Sequence, residues 1–188
     1  MSGTDGNDVL SGDGGNDSLD GGSDNDNLSG MSGNDTIVAG NGEDTLSGGS
    51  GNDSLVGSSG MDTITGGWGA DTITGSGGND VFKFDYLADT NDRITDFGDG
   101  IDLIDLSGID ANAGAANNNV FVFGGENAGV LAYSVTFQRI TGGFTVLADT
   151  DGMLNTVEFM ITVMTTGTWG TDPLTGALNP LTAANFIL

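Results

Sequence analysis

The sequence predicts an all-β fold, in which a flattened parallel solenoid of short strands is followed by a β-rich cap. One observation is a nine-residue unit that repeats nine times without insertion, from Gly3 to Lys83. A second is the 35 glycines, a content that favours tight turns over helices. A third is the loss of the period after Lys83, where runs of apolar residues follow. We therefore divide the chain into repeats at 1–83 and a capping region at 84–188.

The repeat unit is typified by "GGSGNDSLV" at Gly48–Val56. Its sixth position is aspartate in every unit, and its eighth is leucine, isoleucine or phenylalanine. The sixth-position residues are Asp8, Asp17, Asp26, Asp35, Asp44, Asp53, Asp62, Asp71 and Asp80. The eighth-position residues are Leu10, Leu19, Leu28, Ile37, Leu46, Leu55, Ile64, Ile73 and Phe82. Repetition this regular indicates one structural element used many times.

Each unit predicts a turn followed by a three-residue strand. Glycine tolerates positive φ and close backbone approach, so the first six residues form a tight turn whose carbonyl groups are free to face a ligand. Side chains alternate across a strand, so the single aliphatic residue points inward and its neighbours point outward. A strand this short buries its apolar face only by stacking on other units.

Stacking places the aspartates in two rows. Two consecutive units complete one coil, and unit n then lies beside unit n+2, with Asp8, Asp26, Asp44, Asp62 and Asp80 in one row and the other four in the second. Stacked carboxylates repel one another unless a hard cation lies between them. Carboxylate and carbonyl oxygens suit Ca²⁺, whereas Mg²⁺ demands strict octahedral geometry and Zn²⁺ prefers His or Cys. One ion for each stacked pair gives about seven sites.

The repeats resemble the RTX, or hemolysin-type, calcium-binding family, whose signature is G-G-x-G-x-D-x-U-x. The resemblance implies a right-handed parallel β-roll with calcium held by the sixth-position aspartates and by turn carbonyls. The segment "DRITDFGDGIDLIDLSGID" (Asp92–Asp110) is similar to the piece that follows the roll in serralysins and in alginate epimerase R-modules. By that resemblance Asp96 and Asp102 ligate one further calcium; the alternative is that both are surface carboxylates on a cap.

The capping region predicts strands joined by loops. Asp92–Asp110 predicts two strands, with Ile101, Leu103, Ile104 and Leu106 partly inward. Residues 111–119 read as a loop, and four later apolar runs ("VFVF", "VLAYSVTF", "FTVLA" and "TVEFMITVM") predict antiparallel strands. "DTDG" at 149–152 favours a hairpin turn over a calcium-binding EF-hand loop, because its glycine comes too early.

The uncharged end, "NPLTAANFIL", resembles the C-terminal signals of type I secretion substrates. A final edge strand of the cap is the alternative, and the two readings are compatible. The chain shows no basic N-terminal segment followed by an apolar one, so we expect no N-terminal signal peptide. We also expect no membrane insertion, because no run of about eighteen apolar residues is present.

Composition excludes several function classes. The net charge of −24, with three basic residues, disfavours nucleic acid, whose phosphates require clustered Lys and Arg. The absence of His and Cys removes the commonest general base, thiolate nucleophiles and thiolate metal sites. We therefore expect a protein that is not an enzyme.

The sequence thus predicts a calcium-dependent folding and secretion module of an extracellular bacterial protein. Its expected partners are calcium ions, a type I secretion channel and a passenger domain, although a stand-alone calcium-binding protein would look the same. Two alternatives stay open. One is a module that binds a neutral glycan for a polysaccharide-modifying enzyme. The other is an ice-binding or adhesin roll that uses the outward Thr63, Thr65, Thr72 and Thr74.

Overall fold

The computed structural model describes residues 1–86, 89, 91–98, 102–109, 122–126, 134–141, 143–148, 159–165 and 186–187. Within these ranges every regular element is a β-strand, and none is a helix. The repeats form a parallel β-roll, which confirms the predicted fold class. In the described ranges no helix is long and apolar enough to cross a membrane.

The strands of the repeats follow one another at nine-residue intervals. They are β1 (Val9–Ser11), β2 (Ser18–Ser23), β3 (Asn27–Ser32), β4 (Thr36–Asn41), β5 (Thr45–Ser50), β6 (Ser54–Ser59), β7 (Thr63–Trp68), β8 (Thr72–Gly77) and β9 (Val81–Lys83). The later strands are β10 (Arg93–Phe97), β11 (Leu103–Asp105), β12 (Val122–Glu126), β13 (Ser134–Ile140), β14 (Gly143–Ala148), β15 (Phe159–Thr165) and β16 (Phe186–Ile187).

Consecutive repeat strands belong to opposite sheets. One sheet has the order β1-β3-β5-β7-β9-β11-β16, and the other has the order β12-β13-β14-β15-β10-β8-β6-β4-β2. Neighbouring repeat strands are parallel and offset by two units, so that Leu28 faces Leu46 and Ile37 faces Leu55. The predicted stacking of unit n on unit n+2 is confirmed.

The predicted strand length of three residues is wrong for most units. The strands β2 to β8 each contain six residues and run on into the glycine-rich part of the next unit. In the pairing of β4 with β6, for example, Val38 faces Val56 and Gly40 then faces Ser58. Because successive coils superimpose, the start of each turn lies beside the same part of its neighbour and joins the hydrogen-bonded ladder.

The core of the roll is narrow. Each full repeat strand points its eighth-position residue inward, and the next inward position is the first residue of the following unit. The inward aliphatic and aromatic residues from Leu19 to Phe82 are at most 1% exposed. Leu10, in the first coil, is only partly buried against the same core. The core continues beyond the repeats, where the rings of Phe82 and Phe97 pack with centroids 5.9 Å apart.

The strands after Lys83 extend both sheets. β10 pairs in parallel with β8, and β11 pairs in parallel with β9, so both add to the roll as the next strands. This confirms the two strands predicted for Asp92–Asp110. Ile104 and Leu106 are buried and Leu103 is half-buried, whereas Ile101 lies outside the described residues.

The expected antiparallel strands are only partly correct. β13, β14 and β15 pair antiparallel, but β12 pairs parallel to β13, and β15 joins β10 in parallel. Alternating apolar residues fit either direction of pairing, so the pattern could not decide it.

The C-terminal apolar residues form an edge strand. Phe186 and Ile187 make up β16, which pairs in parallel with β11. The expected edge strand is thus present, while the rest of the "NPLTAANFIL" segment lies outside the described residues. The loop expected at 111–119 and the turn expected at 149–152 also lie outside them.

Candidate metal centre

The sixth-position aspartates stack in two rows, as predicted. In each row the Oδ1 atom of one aspartate accepts the backbone N–H of the aspartate one coil earlier. Asp26 donates to Asp44 in this way at 2.7 Å, and Asp35 donates to Asp53 at 2.7 Å. We call Asp8, Asp26, Asp44, Asp62 and Asp80 the first row. Asp17, Asp35, Asp53 and Asp71 form the second row.

The second oxygen of these carboxylates is buried and has no hydrogen-bond partner. This holds for the Oδ2 atoms of Asp17, Asp26, Asp35, Asp44, Asp53, Asp62, Asp71 and Asp80. Asp8 differs, because its Oδ2 accepts the backbone N–H of Thr4 at 2.8 Å and its side chain is partly exposed. A buried carboxylate oxygen without a donor is costly, so a row of such atoms has the chemistry to hold a cation.

Beside all of these unpartnered oxygens except that of Asp44, whose turn begins at Ala39, the glycine at position one of the same turn keeps the space open. A Cβ atom built on Gly30 would lie 2.3 Å from Asp35 Oδ2 and 2.7 Å from the carbonyl oxygen of Gly48. A carboxylate oxygen and a carbonyl oxygen of the next coil therefore converge on one small space.

Oxygen donors of these two kinds are the ligands that calcium prefers. In the described part of the chain, no three carboxylates come together as a conventional metal cluster. Backbone carbonyls must accordingly supply a large share of any ligand set in these turns, and the donor set fits calcium.

The glycines at positions two and four serve a different purpose from those at position one. Residues at positions two and four other than Thr4 and Gly78 adopt positive φ, as at Gly40 (109°) and Gly42 (153°). Asp24, the one non-glycine at position four, also has positive φ (72°) and accepts the backbone N–H of Gly6. Aspartate tolerates this conformation better than most residues, so this departure from the repeat does not disrupt the turn.

Comparison with known families agrees with this geometry. The model of the RTX calcium-binding nonapeptide repeat (4 copies) matches residues 1–28, 20–55 and 47–82. Residues 1–82 thus carry repeats of the RTX calcium-binding type. The RTX repeats bind Ca²⁺, and the repeat region is a calcium-binding β-roll module.

No curated protein sequence matches the chain significantly. Among solved structures, the chain is similar to the solution structure of the AlgE6R3 subunit of the mannuronan C5-epimerase from Azotobacter vinelandii. The two share 25% identity, and the alignment covers 88% of this chain and 78% of that one, with a TM-score of 0.45.

Burial raises the pKa of several RTX aspartates. It raises the pKa of Asp62, Asp71 and Asp80 to about 6, and neighbouring carboxylates add to the rise. Burial is also the main reason that the pKa of Asp44 and of Asp53 is raised. Backbone N–H donors to the carboxylates oppose the rise only in part. These RTX turns therefore hold desolvated negative charge that a cation would stabilise.

An asparagine ladder at position five of the RTX unit was missed by sequence reasoning. The Oδ1 atoms of Asn34 and Asn52 accept the backbone N–H of the residue one coil later, Asn52 and Ala70 respectively, at 2.8 and 2.9 Å. Three more such bonds come from Asn7, Asn16 and Asn25. The signal was present, because six of the nine units carry Asn at this position. The ladder satisfies turn N–H groups next to the aspartate rows.

Both rows continue past the RTX repeats. Asp80 donates its N–H to Asp102 Oδ1 at 3.1 Å, so Asp102 extends the first row, and Asp71 donates to Asp92 Oδ1 at 2.8 Å, so Asp92 extends the second. Asp92 was not among the predicted ligands, although its Oδ2 is buried without a partner and burial raises its pKa to about 7. The spacing hid it, because Asp92 lies 21 residues after Asp71 rather than 18.

Asp96 occupies a different position from the row aspartates. Its two oxygens accept the backbone N–H groups of Gly75 and Ser76, at 3.0 and 2.8 Å. It and Asp102 both raise the pKa of Asp80 by charge repulsion, which places both carboxylates near that turn. Asp96 and Asp102 are also buried, so they are not the surface carboxylates of the alternative reading.

Proposed function

We propose that the chain is a calcium-dependent folding and secretion module of an extracellular bacterial protein. The single observation that carries this is the pair of rows of buried, unpartnered carboxylate oxygens. Five of these oxygens share one small space with a backbone carbonyl of the next coil, namely those of Asp17, Asp26, Asp35, Asp53 and Asp62. Without a cation these rows oppose folding, since each places desolvated charge beside like charge. Calcium, when bound there, would neutralise the carboxylates and accept both kinds of oxygen as ligands.

The energies are large enough for such a switch. A site at tenfold saturation stabilises the fold by about 1.4 kcal/mol, so seven sites contribute roughly 10 kcal/mol. The net stability of a whole domain is about 5–15 kcal/mol. Calcium binding of the affinity common outside cells, at roughly millimolar dissociation constants, would thus decide whether the roll forms.

We assign about seven ions to the gaps between the RTX aspartates of each row. The proposed ligands are the sixth-position aspartates with their turn carbonyls, and Asp92 and Asp102 extend the rows by one gap each. Asp96 would support the last gap of the first row, because it lies near Asp80 and holds the turn at Gly75 and Ser76.

Secretion follows from the same switch. At low cytosolic calcium the glycine-rich, acidic repeats would stay unfolded and could pass through a type I channel, which would recognise the uncharged C-terminal segment. In the calcium-rich exterior the roll, attached to a passenger domain, would fold. Folding outside the cell would help to draw the rest of the chain through the channel. On this proposal the module itself has no catalytic role.

Circular dichroism tests the folding switch. We expect a largely disordered repeat region in excess chelator and a cooperative gain of β signal with millimolar calcium. Magnesium at equal concentration should have much less effect, because it resists the irregular, carbonyl-rich coordination of these turns. A β-roll that is fully formed in excess chelator would overturn the proposal.

A matched pair of variants tests the role of the rows. Asp35→Asn removes the charge from a buried, unpartnered carboxylate inside the second row, whereas Asp8→Asn alters a partly exposed one that already has a donor. We expect Asp35→Asn to raise the calcium midpoint of folding more than Asp8→Asn does. Equal midpoints would contradict the assignment of Asp35 as a ligand.

A neutral-glycan-binding module is a second candidate, favoured by one cavity. The cavity, of about 290 Å³, is lined partly by Thr65, Trp68, Asp85, Tyr86 and Asp89. Trp68 and Tyr86 are about 60% exposed, and aromatic faces of this kind pack on sugar rings while carboxylates accept hydrogen bonds from sugar hydroxyl groups. Asp89 is fully buried, and its Oδ1 has no partner.

Tryptophan fluorescence during titration with neutral oligosaccharides, in saturating calcium, tests this candidate. A saturable change that Trp68→Ala abolishes would support it, with Met61→Ala as an exposed control. No change in the native protein would remove the candidate.

The ice-binding or adhesin alternative loses its main support. Its four threonines were expected to form one outward patch, but Thr63 and Thr65 lie on β7 while Thr72 and Thr74 lie on β8, in the opposite sheet. Consecutive units alternate between sheets, so threonines nine residues apart do not share a face.

A further inference from the structure

Position one of the RTX turn is glycine in eight units and alanine in one, at Ala39. Ala39 is fully buried and belongs to the core of the roll. It opens the turn that ends at Asp44, in the middle of the first row. The second row has glycine at position one in all four of its repeat turns, Gly12, Gly30, Gly48 and Gly66.

The glycine-containing turns reveal what a methyl group does at this position. A Cβ on Gly48 would lie 2.3 Å from Asp53 Oδ2 and 2.5 Å from the carbonyl oxygen of Gly66. On Gly57 it would lie 2.3 Å from Asp62 Oδ2 and 2.8 Å from the carbonyl oxygen of Gly75. Every position-one glycine places its Cβ at 2.9 Å or less from the aspartate oxygen of its own turn.

By analogy with the glycine-containing turns, we place the Ala39 methyl group between Asp44 Oδ2 and the coil that begins at Gly57. Calcium must approach its oxygen ligands to about 2.3–2.6 Å. A methyl group cannot be nearer than about 3 Å to the same oxygens without strain. The methyl group and an ion therefore compete for one space, and Asp44 Oδ2 keeps no protein donor in exchange.

We infer that Ala39 interrupts the first row, so that the gap between the turns at 39–44 and 57–62 binds calcium more weakly than every other repeat gap. This inference rests on the proposed function and goes beyond it, because it makes the first and second rows unequal in calcium affinity. The second row can fill without interruption, whereas the first row fills as two separate parts. Asp44, although central in its row, contributes less to calcium binding than Asp53 does at the matching place in the other row.

Two reciprocal variants test the inference, with bound calcium counted by native mass spectrometry across a calcium titration. Ala39→Gly opens the obstructed gap, and Gly48→Ala obstructs the matched gap beside Asp53. We expect Ala39→Gly to bind one more ion than the native chain at calcium concentrations that half-saturate it. Gly48→Ala should bind one fewer under the same conditions. Unchanged counts in Ala39→Gly would overturn the inference.

A second pair keeps the test decisive if either backbone variant fails to fold. Asp44→Asn and Asp53→Asn are isosteric, so they remove charge without filling space. We expect Asp53→Asn to raise the calcium midpoint of folding by circular dichroism clearly more than Asp44→Asn. Equal shifts, or a larger shift for Asp44→Asn, would contradict the inference. Failure of the proposed function itself would look different, because the native β-roll would then be fully formed in excess chelator.

Discussion

From the second coil onwards, from Asp26 to Asp80, the aspartate of each repeat uses its two oxygens for different tasks. Oδ1 accepts a backbone N–H from the preceding coil and fixes the carboxylate in place. Oδ2 is left buried, and in every turn except that of Asp44 a glycine at position one keeps its approach open. A carboxylate held in this way is oriented before any ion arrives, so little side-chain entropy remains to be lost on binding.

The raised pKa values predict that acid favours the calcium-free roll. Burial raises the pKa of Asp62 to about 6 and that of Asp92 to about 7, above an ordinary value of 3.8. The folded state therefore binds protons more tightly than the unfolded state, and its stability falls as pH rises through about 6 to 7. In calcium-free buffer we expect more β signal at about pH 5 than at about pH 8.

Circular dichroism of two variants gives the control for this pH response. Asp62→Asn should reduce the difference between the two pH values, whereas the exposed Asp20→Asn should leave it unchanged. An equal or smaller β signal at the lower pH in the native chain would contradict the assigned burial of these carboxylates.

The asparagine ladder predicts a measurable loss of stability. Asn34→Ala removes the acceptor of the Asn52 N–H group, which should lower the free energy of unfolding by about 0.5–1.5 kcal/mol. Met61 occupies the same position of another unit, and its exposed side chain cannot accept such a bond. Met61→Ala should therefore change the free energy of unfolding by less than about 0.5 kcal/mol. Urea unfolding in saturating calcium measures both, and equal losses would refute a structural role for the ladder.

At the level of single residues, the repeated sequence predicted the roles of the residues that recur in every unit. The aspartate rows and the inward aliphatic residues were evident because each recurs in every unit. Asp92 was not evident, since its role depends on a coil of different length that only the folded chain reveals. The unequal space at Ala39 was also hidden, because glycine at position one serves packing rather than a turn conformation.

At the level of strands, the pairing of unit n with unit n+2 followed from a simple requirement. The last three residues of each unit contain one aliphatic side chain, which points inward. Two consecutive strands must therefore face each other to bury these side chains. The true strand length of six residues could not be predicted from that pattern, because the extra residues are glycines and polar residues held by the adjacent coil. The parallel pairing of β12 with β13 was equally hidden, since it depends on chain connections rather than on alternation.

The strands that follow the repeats predict that the roll requires its cap. β10 and β11 pair with β8 and β9, and Phe97 packs against Phe82. A chain of residues 1–83 would expose these edges and the apolar end of the core, so we expect it to stay unfolded even in calcium.

A chain that ends at Ala184 provides the matched control for this truncation. It loses only the short edge strand β16 and its flanking residues, so its calcium midpoint should stay close to that of the full chain. Cooperative folding of residues 1–83 with the native calcium midpoint would show that the cap is dispensable.

Across the whole molecule, net charge and calcium binding act on the same equilibrium, the one between the unfolded chain and the folded roll. The net charge of −24 opposes compaction of the calcium-free chain, and the narrow core offers only one large apolar side chain per repeat strand against it. The fold class was predictable at this scale because the repeats set it. The arrangement of the capping strands was not, since residues far apart in the sequence determine it.

The C-terminal segment predicts that export and folding can be separated. We expect removal of Asn185–Leu188 to reduce secretion through a co-expressed type I channel while leaving calcium-induced folding nearly intact. The measurement compares secreted with retained protein, alongside the calcium midpoint. Normal export of the shortened chain would show that these residues serve only as the edge strand β16.

The most direct test of the account is the number of calcium ions bound by one folded chain, measured by native mass spectrometry at saturating calcium. Two rows of stacked carboxylates predict about seven ions or more, bound together with the gain of β structure. A folded chain that holds no calcium, or only one or two ions, would contradict the claim that calcium between the coils stabilises the roll.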